Sequence, residues 1–172
     1  MSAVFSLKGK KALITGAGSS SGIGFASATA LKQLGAEVII TSTTNRIFDR
    51  ATEIQARGLV ADLCDERQVK ELFSNIDSLD ILVNNAGMTS ISNPAGDSEA
   101  GDVANIELSN WRLGMARNLD SAFLVTKYAL PLLRKSKSGR IVMISSVTGA
   151  IMAMKNQPPT SYNTSCTNPL PF

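Results

Sequence analysis

A glycine-rich segment between an apolar run and a helical pattern is the part of the sequence best suited to chemistry. Residues 15–24 have the sequence TGAGSSSGIG and directly follow the apolar residues 12–14. Glycines let a backbone turn tightly and approach a pyrophosphate, and the helix that follows offers unpaired N–H groups and the positive end of its dipole. The segment therefore predicts a dinucleotide phosphate site, and the alternative is an ordinary glycine/serine turn. The residues expected to line the site are Gly16, Ser20, Gly22, Ile23 and Gly24.

A second polar cluster follows the next apolar run. Where a dinucleotide-binding fold meets the adenosine ribose, an Asp or Glu would bind the 2′-hydroxyl and repel a 2′-phosphate. Residues 41–46 are TSTTNR, with hydroxyls and an arginine in place of a carboxylate. Thr43 and Arg46 therefore favour NADP(H), with NAD(H) as the second candidate cofactor. The alternative for Arg46 is a place on the surface of the following helix without a ligand.

Five short apolar runs alternate with helical patterns along the chain. Each run is apolar on both faces, which is typical of a parallel strand buried between two helix layers. The resulting β-α-β-α-β-α-β-α-β order predicts an α/β fold with a doubly wound parallel sheet, Rossmann-like, in a single domain over residues 1–172. The runs are residues 12–14, 38–40, 59–61, 81–83 and 141–144.

The helical patterns carry apolar residues at i, i+3 and i+4 spacing. One of them begins after Asp65, and Gln68 three residues later predicts a capping box. A longer helix is expected from about Ser109 into the 130s, and Pro131 is expected to kink or end it. Residues 88–107 lack periodicity and predict a surface loop. The apolar stripes are Ile47, Ala51 and Ile54; Val69, Leu72, Phe73 and Ile76; and Leu119, Ala122, Phe123 and Thr126.

Composition excludes several classes of function. The chain has 172 residues, a net charge of +3, no histidine and two cysteines, Cys64 and Cys166. Ser-His-Asp triads and His-ligated metals are therefore excluded, and two cysteines form neither a disulfide framework nor a metal cluster. Scattered positive charge favours an ordinary surface over a nucleic-acid-binding patch. The sequence shows no signal peptide and no apolar run of the ~20 residues that a membrane span needs, so we expect a cytoplasmic protein without a metal.

Further polar and glycine-containing motifs follow the third, fourth and fifth apolar runs. They are Asp62 and Leu63 after the third run, NNAG at residues 84–87 after the fourth, Asn118 in the long helix, Ser145 and Ser146 after the fifth run, and Tyr162. Together with the glycine-rich segment, this set resembles the classical short-chain dehydrogenase/reductase family over about residues 8–162. One departure is that five residues separate Gly16 from Gly22 where the family pattern has three, so we expect a longer but usable loop.

The resemblance implies a reaction and a role for each motif. Such enzymes transfer hydride between a nicotinamide and the carbonyl carbon of a ketone, or the reverse from a secondary alcohol. Tyr162 would be the general acid or base at the substrate oxygen, Ser146 would hydrogen-bond that oxygen, and Asn118 would support a lysine four residues after the tyrosine. The family also implies a homo-oligomer that associates through the long helix and the helix after the tyrosine. The implied cofactor contacts are Asp62 and Leu63 at the adenine, and Asn85, Ala86 and Gly87 along the dinucleotide.

The last residues depart from the family pattern. Cys166 lies four residues after Tyr162, where the family has its lysine, and Pro169 and Pro171 would end the helix that carries that lysine. We therefore expect homologous sequence to end at about Tyr162 and the fold to be incomplete at its C-terminus, with the fifth run left as an apolar sheet edge. We also expect the chain to be inactive and its oligomer to be in doubt. A frameshift or a misassigned gene end would explain this pattern. The alternatives are a dinucleotide-binding protein without catalysis and a fragment that does not fold.

Overall fold

Strands and helices alternate along the chain in the order that the sequence predicts. The computed structural model describes residues 5–87 and 105–145, so most of the loop predicted for residues 88–107 lies outside the described residues. The strands are β1 (Lys11–Thr15), β2 (Glu37–Ser42), β3 (Arg57–Val60), β4 (Ile81–Asn84) and β5 (Arg140–Met143). The helices are α1 (Ile23–Gln33), α2 (Arg46–Glu53), α3 (Glu66–Ser74), α4 (Leu108–Met115) and α5 (Ser121–Lys135). One turn of π-helix, Ala116–Asp120, joins α4 to α5.

The five strands form a parallel sheet in the order β3-β2-β1-β4-β5. The chain leaves β1 toward one edge through β2 and β3, and then returns to the other side of β1 through β4 and β5. Leu13 in β1 accordingly pairs with Ile39 in β2 and with Leu82 in β4. This confirms the predicted doubly wound sheet. The reversal of strand order lies between β1 and β4, and the carboxyl ends of the strands at such a reversal are where these sheets bind ligands.

Apolar side chains fill both faces of the central strands. On one face, Leu13, Ile39 and Leu82 pack with residues of α3 and α5. On the other face, Ile14 and Ile40 pack with residues of α1 and α2. All five side chains are inaccessible or almost inaccessible to solvent. Burial on two faces explains why these runs are apolar throughout instead of alternating with polar residues.

The expectation that every run is buried between two helix layers is wrong for β3, whereas β5 forms the apolar sheet edge expected for the fifth run. Within the described part of the chain, each lies at an edge of the sheet and pairs with a single neighbour. Val60 in β3 and Val142 in β5 are 42% and 45% exposed. These runs are as apolar as those of the central strands. Their burial is set by their place in the sheet, which a short run does not encode.

The long helix does not end at Pro131, and its buried stripe differs from the predicted one. Pro131 lies inside α5 and is exposed, so water can solvate the Lys127 carbonyl, which loses its helical partner there. Phe123, a member of the predicted stripe, is 62% exposed. The buried stripe instead contains Ala122, Val125, Ala129 and Leu133. In the ranges that the structure describes, no helix is long and apolar enough to cross a membrane.

Two valines in neighbouring strands test how the sheet distributes stability. Val38 in β2 is 1% exposed, and Val60 in β3 is 42% exposed. Val38→Ala should lower the free energy of unfolding by about 2–3 kcal/mol, because it removes buried methyl groups and leaves a cavity. The matched change Val60→Ala should cost less than about 1 kcal/mol. Urea unfolding of both variants measures the difference, and equal losses would contradict the assignment of β3 to a sheet edge.

Candidate functional site

The Thr15 hydroxyl connects the glycine-rich segment to the NNAG motif at the carboxyl ends of β1 and β4. Its oxygen accepts hydrogen bonds from the backbone N–H groups of Asn85 at 3.0 Å and Ala86 at 2.9 Å. Its own hydrogen points to the carbonyl oxygen of Val83, 3.4 Å away. Thr15 is 1% exposed, so water does not replace it as the acceptor. The last residue of β1 thereby sets the direction in which the chain leaves β4.

The Asn85 side chain strengthens this connection. Its Nδ2 donates to the carbonyl oxygens of Thr15 at 2.9 Å and Gly16 at 3.1 Å. Gly16 has a φ of +69°, and a Cβ at this position would lie 2.8 Å from the Cα of Ala86. A Cβ on Gly24 would lie 2.7 Å from the Gly16 carbonyl oxygen. Glycine is therefore required at both positions for the two motifs to pack against each other.

The glycine-rich segment leads into the N-terminus of α1. Gly22 is the N-cap residue and, being a glycine, has no side chain with which to cap the helix. The first turn of the helix contains no acidic residue. The partial positive charge of this helix end is therefore not neutralised by a side chain of its own first turn. Ser20 and Ile23, both expected to line the site, are exposed. An anion at this position would gain both the N–H groups and the helix dipole.

The polar residues after β2 lie beside the start of the same segment. The Ala17 N–H donates to the Thr41 carbonyl at 3.0 Å, which holds the segment against the end of β2. Thr43 and Arg46 are exposed, and the Arg46 Nε donates to Thr44 Oγ1 at 3.3 Å. The end of β2 therefore presents hydroxyls and a guanidinium beside the start of the glycine-rich segment.

After β3 the chain turns around Asp62. The Asp62 N–H donates to Gln68 Oε1 at 2.9 Å, and the Asp62 carbonyl accepts from the Asp65 N–H at 3.2 Å. The carboxylate Oδ1 accepts from the Cys64 N–H at 2.9 Å. Asp62 remains exposed, whereas the next residue, Leu63, is buried. The backbone thus orients a carboxylate that a ligand can still reach.

Asn118 lies in the π-helical turn and approaches the NNAG motif. Its Nδ2 donates to the Gly114 carbonyl at 2.8 Å. A Cβ on Gly87 would lie 3.0 Å from Asn118 Oδ1, so the small residue at 87 permits this approach. The extra residue of a π-helical turn changes which side chains point to a given side of a helix. The turn therefore helps to place Asn118 at the end of the fourth-strand motif.

Comparison with known proteins assigns the chain to a family. The family profile described as short chain dehydrogenase matches residues 10–165. The chain belongs to the short-chain dehydrogenase/reductase family. One similar curated protein is the 3-oxoacyl-[acyl-carrier-protein] reductase FabG of Aquifex aeolicus (strain VF5), 35% identical over 154 residues, which are 83% of this chain and 58% of FabG. Another is the tropinone reductase homolog At2g29150 of Arabidopsis thaliana, 37% identical over 158 residues, 86% of this chain and 55% of that protein.

Solved structures of the family have the same fold. A putative NAD(P) dependent gluconate 5-dehydrogenase from Beutenbergia cavernae, with bound NADP at low occupancy, has 29% sequence identity and a TM-score of 0.81. The match covers 94% of this chain and 64% of that one. The short-chain dehydrogenase/reductase family consists of oxidoreductases that bind NAD(P). This chain spans a little over half the length of the curated relatives it matches.

The structure brings together most of the cofactor residues expected for a short-chain dehydrogenase. The glycine-rich segment, the NNAG motif and Asn118 lie in contact, and Thr43, Arg46, Asp62 and Leu63 follow β2 and β3 at the same end of the sheet. Ser146, Tyr162 and Cys166 lie outside the described residues. In the part of the chain that the structure describes, no cluster of three or more His, Cys, Asp or Glu residues could hold a metal ion.

Three residues at this end of the sheet were not predicted to have roles there. Thr15 was counted only as part of the glycine-rich sequence, although a hydroxyl at the end of an otherwise apolar run was the available signal. Gln68 bonds Asp62 instead of closing the predicted capping box. Cys64 Sγ lies 3.5 Å from the Ala116 carbonyl oxygen in the π-helical turn. Burial, and secondarily Asp62, raises the pKa of the Cys64 thiol to about 11, so the protonated thiol donates this bond at neutral pH.

Substitution of Thr15 tests its part in joining β1 to β4. Thr15→Val has nearly the same shape but leaves the Asn85 and Ala86 N–H groups without their acceptor, and should lower the free energy of unfolding by about 1–3 kcal/mol more than Thr15→Ser. The serine variant keeps the hydroxyl and is the matched control. Urea unfolding measures both. A valine variant as stable as the serine variant would mean that the two N–H groups find other partners.

Proposed function

We propose that this chain forms the dinucleotide-binding part of an NADP(H)-dependent oxidoreductase that interconverts a ketone and a secondary alcohol. The observation that carries the proposal is the contact between the glycine-rich segment and the NNAG motif, made through Thr15 and Asn85. It places the start of α1 at the reversal of strand order, where a dinucleotide would lie across the ends of the strands.

The described residues fit such a cofactor along its length. The pyrophosphate would bind at the start of α1, beside Gly22, because the N-cap there contributes no side chain of its own. The adenine would lie against Asp62 and Leu63 after β3. The nicotinamide end would extend past residues 85–87 toward Asn118. The close packing of Gly16, Gly24 and Gly87 against their neighbours supports a bed formed by backbone atoms.

Arg46 and Thr43 support NADP(H) over NAD(H). A 2′-phosphate next to β2 would meet hydroxyls and a guanidinium, and the residues after β2 contain no carboxylate that would repel it before Asp49 in α2. Arg46 Nε donates to Thr44 Oγ1 at a long 3.3 Å, a contact that a phosphate would readily replace. NAD(H) stays the second candidate, since Thr43 can also donate to a ribose hydroxyl.

The proposed chemistry assigns the proton and the hydride to different groups. The bound nicotinamide would supply or accept hydride at the substrate carbon. Tyr162 would hold the proton that moves to or from the substrate oxygen, Ser146 would hydrogen-bond that oxygen, and Asn118 would support the site through water. The proposed partner is a small carbonyl or alcohol compound, with neither nucleic acid nor a membrane involved, and the proposed compartment is the cytoplasm.

A protein that binds the dinucleotide without catalysis is the second candidate function. The observation that favours it is Cys166, four residues after Tyr162, where family resemblance places a lysine. A lysine cation would lower the pKa of the tyrosine, whose reference value is about 10, and a thiol has no positive charge to do so. Binding without turnover would distinguish this function from that of the oxidoreductase.

Replacement of Arg46 tests the choice of cofactor. We expect the chain to bind NADPH more tightly than NADH, and Arg46→Ala to reduce this preference about tenfold or more by removing a charge-assisted contact of roughly 1.5–3 kcal/mol. Lys32→Ala is the matched control, because it removes one positive charge from the last turn of α1, at the opposite end of that helix. Fluorescence titration with each nucleotide gives the affinities. Equal affinities for NADPH and NADH in the unsubstituted chain would contradict the assignment.

Turnover tests the alternative raised by Cys166. We expect the 172-residue chain to bind NADPH but to show little or no oxidation of it with a panel of ketones, followed by absorbance. Cys166→Lys alone should stay inactive, because the chain spans only 55–58% of the relatives it matches and the resemblance places the substrate-shaping segment in the remainder. An extension with that lysine and the family's C-terminal third should be active. Robust turnover by the 172-residue chain would refute the prediction.

A further inference from the structure

Gln68 connects the start of α3 to the residue that follows β3. It occupies the third position of α3, where a capping-box residue would return to the N–H of the N-cap, Asp65. Asp65 does cap the helix, since its side chain accepts from the Arg67 N–H at 2.9 Å. However, the Asp65 N–H donates to the Asp62 carbonyl at 3.2 Å, so it is already satisfied. The Gln68 side chain is thereby available for another partner.

That partner is the backbone of Asp62. Gln68 Oε1 accepts from the Asp62 N–H at 2.9 Å, and Gln68 Nε2 donates to Asp65 Oδ2 at 3.3 Å. One amide side chain thus joins the turn after β3 to the helix cap. Because an amide carries an acceptor and two donors in fixed geometry, it can bridge these two groups where a carboxylate or an apolar side chain cannot serve both.

The result is that each backbone polar group of Asp62 is held in place. Its N–H is bonded to Gln68, its carbonyl to Asp65, and its carboxylate Oδ1 to the Cys64 N–H. The side chain is nevertheless exposed. The backbone N–H of this exposed aspartate donates its hydrogen bond to an exposed glutamine, six residues further along the chain.

We propose that Gln68 is a positioning residue that sets the selectivity of this site for adenine. By accepting the Asp62 N–H, it holds the Asp62 carboxylate where it accepts a hydrogen bond from the exocyclic amino group of the base. This inference rests on the proposed dinucleotide-binding function. Gln68 itself contacts no part of the cofactor. Its effect should therefore be on discrimination between bases, while the phosphate contacts at α1 and the residues after β2 stay unchanged.

A pair of nucleotides that differ at C6 and N1 of the base tests the proposal. NADPH carries the amino donor at C6 and an acceptor at N1, and its deamino analogue, which has hypoxanthine in place of adenine, carries an oxygen at C6 and a hydrogen on N1. The unsubstituted chain should bind NADPH about tenfold more tightly than the analogue, as expected for one charge-assisted hydrogen bond. Asp62→Ala provides the ratio of affinities in the absence of the carboxylate.

Gln68→Leu should reduce the NADPH preference to about twofold, close to that of Asp62→Ala, while affinity for the analogue changes little. Gln68→Glu keeps an acceptor for the Asp62 N–H but replaces the donor to Asp65 Oδ2 with a like charge, so it should give a preference between those of the unsubstituted chain and Gln68→Leu. Lys70→Leu is the matched control, because it makes an exposed position of the same helix apolar. Thermal unfolding of each variant identifies any that has lost its fold. If Gln68→Leu has lost its fold, Gln68→Ala replaces it, and an unchanged preference in that variant is the contradicting result.

The other possible outcomes contradict either the role of Gln68 or the proposed function itself. An unchanged preference in Gln68→Leu, or an equal loss of affinity for both nucleotides, would overturn the role of Gln68, since a purely structural effect on α3 would not distinguish the bases. If the unsubstituted chain binds both nucleotides equally, the inference fails and dinucleotide binding stands. If it binds neither nucleotide, the proposed function fails together with the inference.

Discussion

Two hydrogen bonds to one buried hydroxyl join the glycine-rich segment to the NNAG motif at the candidate cofactor site. Strands β1 and β4 are neighbours in space, but their carboxyl ends, Thr15 and Asn84, lie 69 positions apart in the sequence. Thr15 joins the two strands by accepting hydrogen bonds from the N–H groups of both Asn85 and Ala86. A buried N–H without an acceptor costs about 1–3 kcal/mol. The positions of the glycine-rich segment, of the NNAG motif and of the start of α1 all follow from this connection.

A second group of contacts joins the ends of β3 and the long helix to that centre. Gln68 and Cys64 fix the turn at Asp62, and the protonated Cys64 thiol bonds the Ala116 carbonyl in the π-helical turn that carries Asn118. Asn118 in turn packs against Gly87 at the end of the NNAG motif. The proposed adenine and nicotinamide ends of the site are therefore linked through protein contacts as well as through the sheet. Such short, direct contacts give the site a defined geometry before a ligand binds.

The described structure concerns the proposed cofactor binding, whereas the residues proposed for catalysis lie mostly outside it. The portion shared with the relatives contains the parallel sheet and the candidate cofactor bed, and these are the parts that the contacts around Thr15 and Asp62 organise. The proposed catalytic step would depend on Ser146 and Tyr162 and on the residue at position 166. A cysteine at 166 separates the two proposed functions on chemical grounds, because a thiol can donate a hydrogen bond but cannot provide the cation that favours a phenolate.

The sequence by itself determined the strand–helix order, the parallel sheet and the glycine-rich segment at the start of α1. These features depend on local patterns: doubly apolar runs, helical periodicity, an N-cap aspartate at 65 and glycines where a Cβ has no room. It also located the NNAG motif and Asn118. The tertiary structure decided that β3 lies at an edge of the sheet, that the helix continues through Pro131, that Phe123 is exposed and that Gln68 bonds Asp62. In each of these cases the outcome depends on a partner distant in the chain, or on whether water reaches a given carbonyl or ring. A local pattern specifies what a residue can do, and packing against the rest of the chain selects which partner it meets.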